Sequence, residues 1–261
     1  MILSEIIAKL ERRFPIENKE NWDNVGLLIG TRTKEIKKIQ ISLDVTDAVI
    51  ENAIRNHVDL IISHHPLIFS PIKAINDSSA LGKKIIKLIE NRIAVYSMHT
   101  NLDSTRFGLN DLVGEKLGLY GGKIIDKIKE SPENGIGRVY SLLEKQNFIE
   151  FIEFLKEKLN LKNVTVSGLD LEDKIIKKIA IVNGAGSSYW KKAKRMGADV
   201  LVTGDLKYHE ALDAKEEDMA IVDVGHYESE HFFNILISEC LSEFNEIELV
   251  VFNDAPVLRS V

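Results

Sequence analysis

The residues in this chain that can do chemistry sit in three short polar segments, each ending an apolar run. His64-His65-Pro66 closes Leu60-Ile61-Ile62-Ser63. His99-Thr100-Asn101-Leu102-Asp103 follows Ile93–Met98, and Gly225-His226-Tyr227-Glu228-Ser229-Glu230 follows Ala220–Val224. The last two share one pattern: apolar strand, histidine, three residues, carboxylate. Pro66 lacks an N–H and biases His65 toward extended geometry, so two imidazoles are presented where a strand stops. If Gly225 opens a helix, His226 and Glu230 lie one turn apart on one face and converge.

In a parallel sheet the loops that follow the strands gather at one edge, so His64, His65, Asp103, His226 and Glu230 can meet there. Three imidazoles and two carboxylates form a mixed nitrogen and oxygen donor set suited to Zn, Fe, Mn or Ni. Neighbouring side chains in an extended segment diverge, so His64 and His65 do not easily serve one small ion. Two divalent transition-metal ions per chain, bridged by carboxylates, would resolve this and leave positive charge for a hydroxide or a phosphate. The competing reading is two strand caps, a helix N-cap and ordinary solvated carboxylates. His99 reads as a direct ligand or as the group that orients Asp103 or a water and relays a proton, which makes it the catalytic candidate. His57 and His231 read as structural, and His209 as an exposed helix residue. Asn183-Gly184-Ala185-Gly186-Ser187-Ser188 before a helix is a candidate anion cradle, although it lacks GxGxxG or Walker spacing.

The elements that must position these groups alternate in type. Nearly continuous apolar strands at 39–45, 60–63, 93–98, 139–143, 164–166, 179–182, 200–203, 220–224 and 247–252 are interleaved with helical periodicity at 2–10, 45–56, 81–90, 109–117, 148–159, 188–196, 208–215 and 230–244. That alternation predicts an α/β fold with mostly parallel sheets covered by helices. A repeat divides it. Shifted by 140 positions, Lys37-Lys38-Ile39-Gln40-Ile41 lies over Lys177-Lys178-Ile179-Ala180-Ile181, Asp59 over Asp199, and Leu60–Ser63 over Val200–Thr203. A β-α-β unit written twice predicts two similar domains, 1–125 and 126–261, with the C-terminal segment a candidate to cross back to the first. At the strand ends the copies part: His64-His65 in the first, Gly204-Asp205 in the second.

Composition narrows the class. A net charge of −6 gives no global basic field to attract nucleic acid or an acidic membrane. Cys240 is the single cysteine, which excludes an intramolecular disulfide framework and a thiolate-cluster metal site. With no leader-like start and no long apolar run, the chain is expected to be cytoplasmic.

Together, Trp22-Asp23-Asn24-Val25-Gly26-Leu27, Ser63-His64-His65-Pro66-Leu67, His99–Asp103, Thr203-Gly204-Asp205 with Tyr208-His209-Glu210, and Gly225–Glu230 resemble the successive motifs of the GTP cyclohydrolase I type 2 family, the Nif-three-like proteins. The resemblance runs in order over nearly the whole chain. It implies two interlinked α/β domains with a dinuclear metal centre between them, ligated by His64, His65, Asp103, His226 and Glu230, and a homohexameric ring. It also implies a small-molecule substrate of nucleotide type and hydrolysis that opens the guanine ring with release of formate. A phosphoester hydrolase and a non-enzymatic metal-binding ring or scaffold are the alternatives. Trp22 is a candidate for a subunit contact or for packing the mouth of the site.

Overall fold

Burial dictates the layout of the strands. The computed structural model describes residues 1–252 and 254–258. The chain forms two compact units, one from Met1–Leu102 with Phe233–Val257, the other comprising Asp103–Phe232. Elements of the first unit up to its crossover are α1 (Leu3–Arg13), β1 (Gly26–Ile29), β2 (Lys38–Ser42), α2 (Asp47–Arg55), β3 (Leu60–Ser63), α3 (Ala80–Glu90) and β4 (Ala94–Ser97). A short helix, α4 (Thr100–Ser104), follows. The second unit contains α5 (Leu109–Lys116), β5 (Lys123–Lys127), β6 (Gly135–Asn147), α6 (Phe148–Leu159), β7 (Thr165–Ser167), β8 (Ile175–Ile181), α7 (Trp190–Arg195), β9 (Val200–Thr203), α8 (Tyr208–Glu216), β10 (Ala220–Asp223) and α9 (His226–Glu230). Back in the first unit, α10 (Phe233–Leu241) leads to β11 (Glu248–Val251).

The first sheet has the order β1-β4-β3-β2-β11. Its inner strands β2, β3, β4 and the returning β11 pair in parallel, while β1 joins antiparallel at the edge. Every residue of β3 and β4 is buried, as expected of strands covered on both faces. Val49, Ile50 and Ala53 of α2 and Ile85 and Leu88 of α3 pack with Ile61 and Val95 into one cluster. Thr46 caps α2 by accepting from Val49 N at 3.2 Å, and Ser79 caps α3 by accepting from Gly82 N at 3.0 Å, so the polar residues before each helix fix where it starts.

The second sheet has the order β5-β6-β8-β9-β10-β7. Only β8-β9 and β9-β10 are parallel; β5, β6 and β7 add antiparallel pairings. Parallel pairing in this sheet is therefore confined to β8, β9 and β10. Edge strands β1 and β5 carry no long apolar run to announce them. β5 is Lys-Ile-Ile-Asp-Lys, with three of its five residues charged and only Ile125 buried.

The repeated segments share one geometry. Ile39 faces Leu60 in the first sheet and Ile179 faces Val200 in the second, the same offset in each. In both copies an aspartate fastens the strand entry: Asp59 Oδ2 accepts from Lys37 N and Lys38 N at 2.8 and 3.1 Å, and Asp199 Oδ2 from Lys177 N and Lys178 N at 2.7 and 2.8 Å. The turn after each helix needs a left-handed residue, Gly197 (φ 82°) in one copy and His57 (φ 53°) in the other. His57 is thus exposed turn architecture. Among the described residues, no helix is long and apolar enough to cross a membrane.

Candidate metal centre

In the first unit, strand β3 ends where expected and delivers His64 and His65. His64 is wholly buried, and its ring lies 5.2 Å from that of Phe233 on α10. His99 follows β4. The rings of His64, His65 and His99 stand 5.1 to 5.5 Å apart, and each presents one ligand-capable nitrogen within 4.8 Å of the others. Three imidazoles so gathered suit a divalent transition metal.

Each imidazole is held by its other nitrogen. His64 Nδ1 donates to the Met98 carbonyl at 2.8 Å, His65 Nδ1 to Asp44 Oδ1 at 2.8 Å, and His99 Nδ1 to Asp23 Oδ1 at 2.9 Å. In the second unit His226 Nδ1 donates to Asp205 Oδ2 at 2.8 Å. A carbonyl or a carboxylate can only accept, so in all four rings Nδ1 carries a proton, and when the ring is neutral its lone pair is on Nε2. This arrangement orients metal-binding histidines generally, since it fixes the tautomer and raises the basicity of the ligating nitrogen.

The second unit gathers the carboxylates. Asp103, one helical turn past His99 on α4, and Glu230 at the end of α9 are 8% and 3% exposed, and each places an oxygen within 4.8 Å of the other. Two carboxylates so close repel when both are ionised, and a shared proton or a bound cation relieves that repulsion. His226 Nε2 stands 2.9 Å from Glu230 Oε2. With Nδ1–H already committed to Asp205, that distance fits either an imidazolium donating Nε2–H to Glu230 or a cation held by both groups. Gly225 permits the geometry: its φ of 94° opens α9 directly at His226, and the one-turn spacing to Glu230 follows as the sequence predicts.

Close backbone approach completes this part of the centre. A Cβ on Gly184 would lie 2.1 Å from Glu230 Oε1, and one on Gly204 would lie 2.8 Å from His226 N. The glycine loop at 183–188 is therefore not an open anion cradle. Asn183 N, Gly184 N and Gly186 N donate to Asn110 Oδ1, Ser229 Oγ and Thr203 Oγ1 at 2.9 to 3.1 Å, and the loop's work is to let Glu230 come near. His209 is exposed on α8, and His231 stacks on Tyr227 with its pKa lowered by burial.

Three carboxylates escaped the reading of the sequence as functional residues: Asp23, Asp44 and Asp205. Asp44 was hidden because the strand was extended to Val45, whereas β2 stops at Ser42 and leaves Leu43-Asp44 as a strand-end segment like the others. Asp23 is buried at 4% exposure. Burial alone would raise its pKa, but the hydrogen bond and charge of His99 with the donors of Thr100 outweigh it, and the carboxyl falls to about 2. It remains ionised and holds His99 in place at neutral pH.

Comparison with known proteins identifies the family. The family model Duf34/NIF3 (NGG1p interacting factor 3) matches residues 1–256. A GTP cyclohydrolase 1 type 2 homolog of Clostridium perfringens is 44% identical, the match covering 98% of this chain and 97% of that protein. Among solved structures, Staphylococcus aureus protein SA1388 aligns with a TM-score of 0.90 at 28% identity, covering 100% of this chain and 99% of that one. Reduced HcgD from Methanocaldococcus jannaschii aligns with a TM-score of 0.83 at 35% identity, covering 96% and 97%.

Proposed function

Because this chain belongs to the Duf34/NIF3 family, we propose that it is a metal-dependent hydrolase in which His64, His65, Asp103, His226 and Glu230 hold two divalent transition-metal ions. The observation that carries the reading is the pair of buried carboxylates, Asp103 and Glu230, with His226 Nε2 against the latter at 2.9 Å. Bound divalent cations would neutralise such a constellation. Divalent ions bound there would lower the pKa of a water toward neutrality and polarise an electrophilic carbon or phosphorus.

The chain's own residues supply the rest. Asp44, Asp205 and the Met98 carbonyl keep the ring lone pairs on Nε2, which a metal requires. Asp103 is our choice for the carboxylate shared by both ions. His99 is the proton carrier: Asp23 fixes its Nδ1–H and stabilises the imidazolium that forms when Nε2 takes a proton.

The name of the Clostridium perfringens relative supports GTP as substrate. Hydrolysis would then open the imidazole ring of guanine and release formate. A phosphoester hydrolase fits the same residues, since paired ions also suit in-line displacement. We infer assembly into a closed homohexameric ring from the motif resemblance and place the protein in the cytoplasm. Formate and phosphate release from GTP by metal-loaded protein, measured side by side with light scattering, test these readings. Formate without phosphate supports ring opening. Phosphate alone supports the phosphoesterase, and neither product makes a metal-holding ring the better account. A monomer at micromolar concentration contradicts the ring.

A further inference from the structure

Trp22, the larger of two adjoining exposed aromatics, lies beside His99, and the site chemistry does not use it. Its indole is 58% exposed, in contrast to Trp190, which is 2% exposed in the core. An exposed indole on a loose loop would mean little, since scattered surface apolar groups are ordinary. The backbone beneath Trp22 is fixed. Asp23 N donates to Glu20 O at 3.0 Å, Asp23 Oδ1 accepts from Asn24 N at 2.8 Å, and Lys19 Nζ donates to Asp23 O at 2.6 Å. Asp23 Oδ2 accepts from Thr100 N at 3.0 Å, and Asn24 Nδ2 donates to Ile68 O at 2.6 Å.

That last bond brings a second aromatic alongside. Phe69, 51% exposed, stands 5.8 Å from Trp22 with the rings tilted by 49°. On its other side Trp22 meets the edge of His99 at 6.0 Å and 74°. A rigid aromatic wall thus projects into solvent next to the imidazole assigned to proton transfer. Rigid aromatic surface costs little entropy to dock against, and it offers a π-face rather than a hydrogen-bond pattern.

Resting on the hydrolase reading above, we propose that Trp22, backed by Phe69, is the stacking platform for the purine base of the substrate and sets that base beside His99. The platform selects planar heteroaromatic rings and contributes to affinity without holding metal. A second copy of the chain docking on the same patch is the rival occupant, and the test separates the two.

Full-length protein, stripped of metal and then reloaded, is titrated with guanosine, GTP and ribose 5-phosphate while tryptophan emission is followed. Trp190 is buried and supplies a constant background. Guanosine and GTP are expected to change the emission saturably and ribose 5-phosphate not to. In equilibrium dialysis with guanosine, Trp22→Leu should bind about 10-fold or more weakly, while Trp22→Phe keeps most of the affinity. Metal content should be the same in all three proteins, so failure of the metal reading shows in wild type alone and is distinct from failure of the platform. Equal guanosine affinity in wild type and Trp22→Leu overturns the proposal, as does a wild type that binds metal but no guanosine. A fall in particle mass in Trp22→Leu with unchanged guanosine affinity assigns the patch to a subunit contact and also overturns it.

Discussion

The ends of β3 and β9 occupy the same place in two copies of one β-α-β unit, yet they handle the chemistry in opposite ways. β3 ends in His64-His65 and contributes imidazoles directly. β9 ends in Gly204-Asp205, which contributes space and a carboxylate: a Cβ on Gly204 would strike His226 N, and Asp205 receives His226 Nδ1–H. The supporting carboxylate has moved as well. In the first copy Asp44 after β2 holds His65, while the register-equivalent position after β8 is Gly184, pressed against Glu230. Two like β-α-β units can thus divide labour, one placing proposed ligands at a strand end and the other clearing room for proposed ligands on a helix.

The strongest test of that division removes the helix-borne ligand. Glu230→Ala is expected to lower metal content, measured by mass spectrometry of the elements, from about two ions per chain to one or none and to abolish turnover. Asp103→Ala should do the same if it is shared by both ions. Gly204→Ala comes next: it leaves every ligand in place but pushes on the backbone of His226, and it should lose metal while circular dichroism still reports a folded protein. If it binds metal as wild type does, the space-making role is wrong.

His99→Ala should retain both ions and slow turnover by about 10²-fold. Loss of metal instead would make His99 a ligand, as its cluster with His64 and His65 also allows. Asp44→Ala and Asp205→Ala should each weaken metal binding roughly 10- to 100-fold. Equal losses sharpen the comparison, since the two carboxylates do one job in different copies. A loss confined to one of them breaks it.

The smallest effect is on acid stability. Asp23 has its pKa lowered to about 2 in the folded protein from an ordinary value near 3.8. A carboxylate so shifted stabilises the fold fully above the ordinary value and loses that contribution as pH falls toward the folded one. Metal-free wild type should therefore lose stability between about pH 4 and pH 2 more steeply than Asp23→Asn, measured by urea unfolding across that range. Identical slopes would mean that His99 and Thr100 do not stabilise the ionised form.

Much of this was legible in the residues. The limits of β3, β9 and α6 were read without error because each pairs a clear apolar pattern with an unambiguous stop, as Pro66 and Gly204 illustrate. The one-turn spacing of His226 and Glu230 followed from Gly225 alone. β1 and β5 were not legible: an edge strand needs only one apolar face, and its partner is chosen by tertiary pairing rather than by local pattern. The antiparallel share of the second sheet was missed for the same reason. Asp23 and Asp205 stood within recognised motifs, but their jobs depend on partners 76 and 21 residues away, which no local spacing encodes.

Anomalous diffraction from crystals of wild-type protein, grown without chelator and measured at a transition-metal edge, tests the central claim most directly. The account predicts two neighbouring peaks within bonding distance of His64, His65, Asp103, His226 and Glu230. A fully ordered centre with no anomalous peak after metal soaking, or peaks only at other residues, would contradict it.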